Sequence, residues 1–180
     1  MAEPTLSAQR WLYGLAYFGL CTLLMLVHLM PLSIVPGRIP GPDVMICLTL
    51  AWVLRRPHHL PILLIAAMFV MADVLFMRAL GLWAAIVVLS VEYLRARAHQ
   101  TREQTFVTEW LMIAVILLVM TLANRITLGL FVVQQPAWGL VVVQYMATVL
   151  VYPLVVFTLQ LVFGITKMSA SEAEAQGRIT

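Results

Sequence analysis

Three side chains in the first apolar run could bind a soft metal: Cys21, Met25 and His28. Spaced i, i+4 and i+7, they share one face of a helix, and a thiol, a thioether and an imidazole together suit copper. No second ligand cluster accompanies them, and Cys and Met are ordinary apolar filler. They read as core, with no metal and no cofactor implied. Asp73 is the next candidate, in "LLIAAMFVMADVLFM". A carboxylate at the bilayer centre costs ~2.5–3.5 kcal/mol on insertion scales, and such groups are rarely idle. Arg78 follows at i+5, which does not place it on the same helix face. The expected partner of Asp73 is therefore a basic group or a helix end from another element, with Arg38 and Arg125 at a similar level. A third set is Gln144, Thr148 and Tyr152, at i, i+4 and i+8 on one side of a helix, followed by Pro153, which predicts a kink. Such a stripe serves as interhelical hydrogen-bond glue or as the wall of a cavity; glue is the commoner use. Glu92 and Arg95, at i and i+3, read as a surface pair near a boundary, and Glu109 reads the same way.

These groups do not assemble into a catalytic set. The chain has no G-x-S-x-G, no H-E-x-x-H and no phosphate-binding glycine loop. His58 and His59 are adjacent and point to different sides of a helix. Nothing brings nucleophile, base and orienting group together, so the expectation is a protein that is not an enzyme.

The elements that must position these residues follow from composition. Of 180 residues, 63% are hydrophobic and 11% charged, with mean hydropathy +0.98. A soluble domain is typically ~45–50% apolar and ~25% charged. The expectation is an all-α polytopic membrane bundle of about six helices, over residues 11–165, between a polar N-terminal tail (1–10) and a C-terminal tail (166–180). The first apolar run, twenty residues from Trp11 to Met30, is longer than a signal-peptide core and reads as a retained span. Two cysteines, both in apolar runs, make no disulfide framework. The apolar segments are 11–31, 42–54, 60–77, 79–94, 106–123 and 138–164. Residues 124–138 extend the fifth, lie along the interface or re-enter.

The formal charge of +3 reports topology rather than a nucleic-acid partner. With the N-terminus inside and six crossings, Arg10, Arg55, Arg56, Arg95, Arg97, Arg102, Lys167 and Arg178 fall on the inner side. Arg38, Arg78 and Arg125 fall outside. That asymmetry satisfies the positive-inside bias and puts both termini in the cytoplasm. All five tryptophans fall near a segment end, where indole rings favour the headgroup level.

The second segment raises a question of fit. Between Asp43 and Arg55 only Val44 to Leu54 are uncharged, ~17 Å of helix against a ~30 Å hydrocarbon core. Gly41 as cap, Pro42 in the first helical position and Asp43 at the positive end of the dipole predict a helix that starts below the outer surface. The "VPGRIPG" loop would dip to meet it. Arg55 and Arg56 would snorkel at the other end and Pro57 would stop the helix. A helix so placed must be shielded by the bundle or by a partner.

Taken together, "GPDVMICLTLAWVLRRPHHLP" and "AAMFVMADVLFMRALGLWAAIVVLSVEYLR" resemble the MreD family of rod-shape-determining proteins, small multi-span proteins of the bacterial inner membrane. The carrying marks are Pro42 and Asp43 at the start of a short second helix, Arg56 and Pro57 at its exit, Asp73 in the third, Leu80 and Gly81 in the turn to the fourth, and Pro153 in the last. Where family members often have glycine ahead of the third-helix Asp, this chain has Ala66 and Ala67, which still permit close helix approach. The resemblance implies a non-enzymatic scaffold that controls cell shape and lateral peptidoglycan synthesis. It would bind the bitopic protein MreC and, through it, MreB, RodA and a penicillin-binding transpeptidase. The competing class is the six-helix substrate-binding component of a vitamin-type energy-coupling-factor transporter, or a lipid-binding membrane protein.

Overall fold

The structure, a computed structural model, describes residues 3–30, 41–55, 60–101, 105–133 and 135–163. Arg38, Arg56, Pro57, all of the pre-α2 loop except Gly41, and residues 166–180 lie outside the described residues. Six helices follow one another: α1 (Glu3–Leu29), α2 (Val44–Arg55), α3 (Ile62–Leu75), α4 (Leu82–Thr101), α5 (Phe106–Leu130) and α6 (Trp138–Phe163). Stretches 11–29, 106–130 and 138–161 are long and apolar enough to cross a membrane, and α2 and α3 are shorter apolar helices. The fold is an all-α membrane helix bundle.

Its centre is the helix that is too short. Every residue of α2 from Met45 to Arg55 is buried, packed on α6, α4 and α1. Twelve residues rise ~18 Å, so α2 spans a little over half of the apolar layer, enclosed by longer neighbours. Those neighbours turn apolar side chains outward: Leu23 and Leu26 on α1, Leu150, Leu154 and Phe157 on α6 are exposed, as lipid-facing positions must be. The enclosure of α2 corrects one expectation. Trp52 offers no ring face to headgroups because it has no exposed surface, with its ring edge-on to Tyr13 and Tyr17 at centroid distances of 6.4 and 5.9 Å. A residue near the end of α2 is still deep in protein.

Several boundaries also move, each for a local reason. α2 starts at Val44 rather than Pro42, because Asp43 takes the cap: its Oδ1 accepts from the Ile46 amide at 3.3 Å. α1 begins at Glu3, inside the stretch read as a polar tail. α4 continues past residue 94 to Thr101; Arg95 and Arg97 end the apolar run, but arginine is a good helix former. α5 absorbs the ambiguous stretch as far as Leu130.

α3 and α5 end in the same way. Met77 donates to Val74 O and Arg78 to Asp73 O, at 3.3 and 3.0 Å; Val132 donates to Gly129 O and Val133 to Leu128 O, both at 3.1 Å. These are Schellman motifs, whose left-handed position favours glycine. Here that position holds Met77 (φ 50°) and Val132 (φ 54°). A β-branched residue is the poorer fit. Val132→Gly should therefore stabilise the protein by about 1 kcal/mol, read as a raised unfolding midpoint in detergent; an unchanged or lowered midpoint would contradict the motif.

Candidate functional site

At one end of the bundle, three helices meet on a buried ion pair. Arg55, on the last turn of α2, places Nη1 3.0 Å from Glu109 Oε1 on the first turns of α5. Tyr152 of α6 donates its hydroxyl to the same Oε1 at 2.9 Å, and Arg55 Nη1 also donates to Ala51 O at 3.2 Å. Arg55 is 2% exposed, Glu109 and Tyr152 0%. Two expectations are corrected here. Arg55 does not snorkel, because its guanidinium is buried in protein and paired with Glu109. Glu109 is no surface group, because α5 presents it inward to the cation. Removing one partner of such a pair strands the other, at a cost of ~3–5 kcal/mol.

The next turn of α6 shows how the bundle accommodates Pro153. Proline has no N–H, so the carbonyl four residues earlier, Val149 O, loses its helical donor. Trp110 Nε1 of α5 donates to Val149 O at 2.9 Å, supplying the missing bond from a neighbouring helix. Tyr145 returns a bond from α6 to α5, donating to Ala114 O at 3.1 Å.

At the other end of α2, Thr148 joins α6 to it. Thr148 Oγ1 accepts from the Asp43 amide at 3.1 Å and gives its own proton to Gln144 O at 2.7 Å. Cys47 Sγ lies 3.4 Å from Thr148 O. Among the polar stripe, Thr148 and Tyr152 thus serve as glue at opposite ends of α2, while half-buried Gln144 faces a cavity. Along α2's other side Tyr17 and Thr49 share a 2.9 Å hydrogen bond. Because Thr49 Oγ1 donates to Met45 O, Tyr17 is the donor.

Asp73 finds a helix end. Its Oδ2 accepts from the amides of Gly81, at 3.0 Å, and Ala84, at 3.3 Å. The carboxylate therefore closes the α3–α4 hairpin and sits at the positive end of the α4 dipole. Gly81 holds φ 78°, a conformation that a side chain would strain. Arg78 turns away to Asp43 Oδ2 at 3.9 Å, stacked over Phe76 and Trp83. At the opposite end of α4, Arg95 pairs with Glu92 at 3.2 Å as its spacing foretold, and also donates to Leu60 O at 2.6 Å. Cys21 and Met25 are core, and His28 packs on Phe76. Among the described residues no group of three His, Cys, Asp or Glu could hold a metal.

The N-terminal ends of α2, α4 and α6 and the C-terminal ends of α3 and α5 surround a cavity of about 560 Å³. Asp43, Arg78, Asn124, Arg125, Gln135 and Gln144 supply its polar wall; Ile46, Leu117 and Val141 are part of its apolar one. Pro42, Asp43, Asp73, Arg78, Gly81, Gln144 and Thr148 thus gather at this end, and Tyr152 and Pro153 at the other. Arg55, Glu109, Trp110 and Arg125 were missed as site residues. Pro153 was a usable signal for Trp110, since a mid-helix proline requires an outside donor to its i−4 carbonyl.

Compared with known protein families, curated proteins and solved structures, the chain matches none.

A thermodynamic cycle tests the buried pair. Glu109→Leu alone should cost about 3–5 kcal/mol, and Arg55→Met with Glu109→Leu distinctly less than the sum of the single changes. Additive costs in a reversible unfolding titration would show that the two side chains do not interact.

Proposed function

We propose that the protein is a non-enzymatic scaffold of the bacterial inner membrane, of the MreD type, with both termini in the cytoplasm. Its direct partner would be MreC, and through MreC it would act with MreB, RodA and a penicillin-binding transpeptidase in lateral peptidoglycan synthesis. The observation that carries the reading is how the intramembrane polar groups are used. Arg55 and Glu109 join α2 to α5, Tyr152 adds α6, Asp43 and Thr148 join α2 to α6, and Asp73 closes α3 on α4. Each engages another helix or the end of one, which suits a rigid platform whose outer faces meet lipid or a partner's span.

The residues that carry the family resemblance support the same reading. Pro42 and Asp43 do head a short enclosed helix, and Asp73 meets Gly81 of the following turn. The inner-membrane orientation rests on the arginine asymmetry. The second class, a ligand-binding component, draws support from the cavity ringed by the ends of α2 to α6.

The test is co-purification. Affinity-tagged protein extracted from native membranes in mild detergent should bring MreC with it, and Asp73→Leu should cut the recovered MreC at least several-fold and perturb rod shape. A tagged protein that carries no MreC would remove the scaffold reading. Full MreC recovery with normal cell shape in Asp73→Leu would remove the role given to that carboxylate.

A further inference from the structure

Two guanidinium groups line the cavity, and the protein leaves both with donors to offer. Arg78 lies over the rings of Phe76 and Trp83, at 5.3 and 5.9 Å from their centroids. Its ion-pair partner is Asp43, at 3.9 Å, beyond hydrogen-bond distance, and it also attracts the Asp73 carboxylate through space. Its side chain is 35% exposed. Arg125 lies over Trp138 at 3.9 Å and donates one hydrogen bond, from Nη1 to Pro136 O at 3.1 Å. Both cations thus lie against aromatic faces, and Arg78 adds one long ion pair to Asp43. Asp43 is the only carboxylate among the described lining residues, and its Oδ1 is engaged in capping α2. Two positive groups face one negative group, with the amides of Asn124, Gln135 and Gln144 beside them.

A guanidinium fixed in plane with free N–H groups is the side chain that best matches a phosphate oxyanion. The cavity volume, about 560 Å³, lies within the ~300–1,000 Å³ of small-molecule sites and exceeds what a bare phosphate fills. Its remaining wall is aliphatic, including Ile46, Leu117, Leu128 and Val141. We infer that this cavity is a binding site for a phosphate-ester anion carried on an apolar body, with Arg78 and Arg125 holding the anion and the aliphatic wall holding the first carbons of the body. Asp43 then acts as an internal competitor for Arg78. The inference does not rest on the scaffold reading, since MreC recovery and anion binding are read separately.

The test uses full-length protein in a neutral maltoside detergent, with dioleoyl-phosphatidylglycerol, dioleoyl-phosphatidylcholine and inorganic phosphate as probes. Binding is read by native mass spectrometry and by the shift in unfolding midpoint. Phosphatidylglycerol should bind wild type at least tenfold tighter than it binds Arg78→Gln/Arg125→Gln, and at least tenfold tighter than phosphatidylcholine binds wild type. Thr121→Phe, which fills the cavity and keeps both arginines, should also weaken it. Asp43→Asn keeps a good cap and removes the competitor, so it should bind phosphatidylglycerol several-fold tighter, a gain that misfolding cannot mimic. If millimolar inorganic phosphate displaces the lipid, a soluble phosphate compound is the source of the anion; if it does not, the source is a lipid headgroup. Either result supports the anion site. Equal phosphatidylglycerol binding by wild type and the double arginine variant overturns it, as does weaker binding by Asp43→Asn.

Discussion

The Arg55–Glu109–Tyr152 contact is the interaction on which the bundle depends, because it holds a charged helix end inside protein. α2 has twelve residues and covers ~18 Å. In a ~30 Å apolar layer at least one end of such a helix, with its unpaired backbone groups and its terminal charge, must be satisfied by protein. At the C-terminal end a cation on the last turn meets a buried carboxylate and a tyrosine hydroxyl. At the N-terminal end the Asp43 side chain caps the helix and its amide goes to Thr148. Ion pairs buried in this way add little net stability over an apolar core, yet they are costly to mispair. Their effect is to fix which helices surround α2 and at what height.

The rest of the architecture follows from that placement. Once α6 is joined to α2 at Thr148 and Tyr152, Pro153 lies one residue beyond the lower contact. The carbonyl it leaves open is met by Trp110, on the same turn of α5 as Glu109. The upper ends of α5 and α6, freed from α2, leave room for the cavity, and Arg125 and Gln135 tie the connection between them: Gln135 Nε2 donates to Arg125 O at 3.0 Å, and Arg125 donates to Pro136 O. The α3–α4 hairpin closes the other side through Asp73. Among the described residues, the buried charges Arg55, Asp73 and Glu109, with Thr148, all lie at these contacts.

Much of this was legible in the sequence, for reasons that differ by residue. The shortness of α2 and its need for shelter follow from two charges a fixed distance apart and the helix rise. The stripe of Gln144, Thr148 and Tyr152 follows from helical periodicity, as does the Glu92–Arg95 pair. Asp73 was expected to meet a cation or a helix end; it met a helix end, because the tight turn brings the α4 amides within reach. What sequence could not supply was the partner across space. Arg55 and Glu109 each sit at the edge of an apolar run, where charges usually face headgroups, and nothing local distinguishes a charge that snorkels from one that turns inward. Trp52 misled for the same reason. Its distance from a segment end is short, but that end is itself buried.

The central claim is that protein, not lipid, surrounds α2. Fluorescence quenching by brominated acyl chains measures this directly. In a variant that keeps Trp52 and replaces the other four tryptophans with phenylalanine, reconstituted in brominated phosphatidylcholine, the account predicts that emission is almost unchanged from that in unbrominated lipid. A control in which all five are phenylalanine and Leu154→Trp supplies the only indole, at a position 66% exposed on α6, should lose most of its emission. Quenching of Trp52 as strong as that of the control would place lipid against α2 and contradict the account.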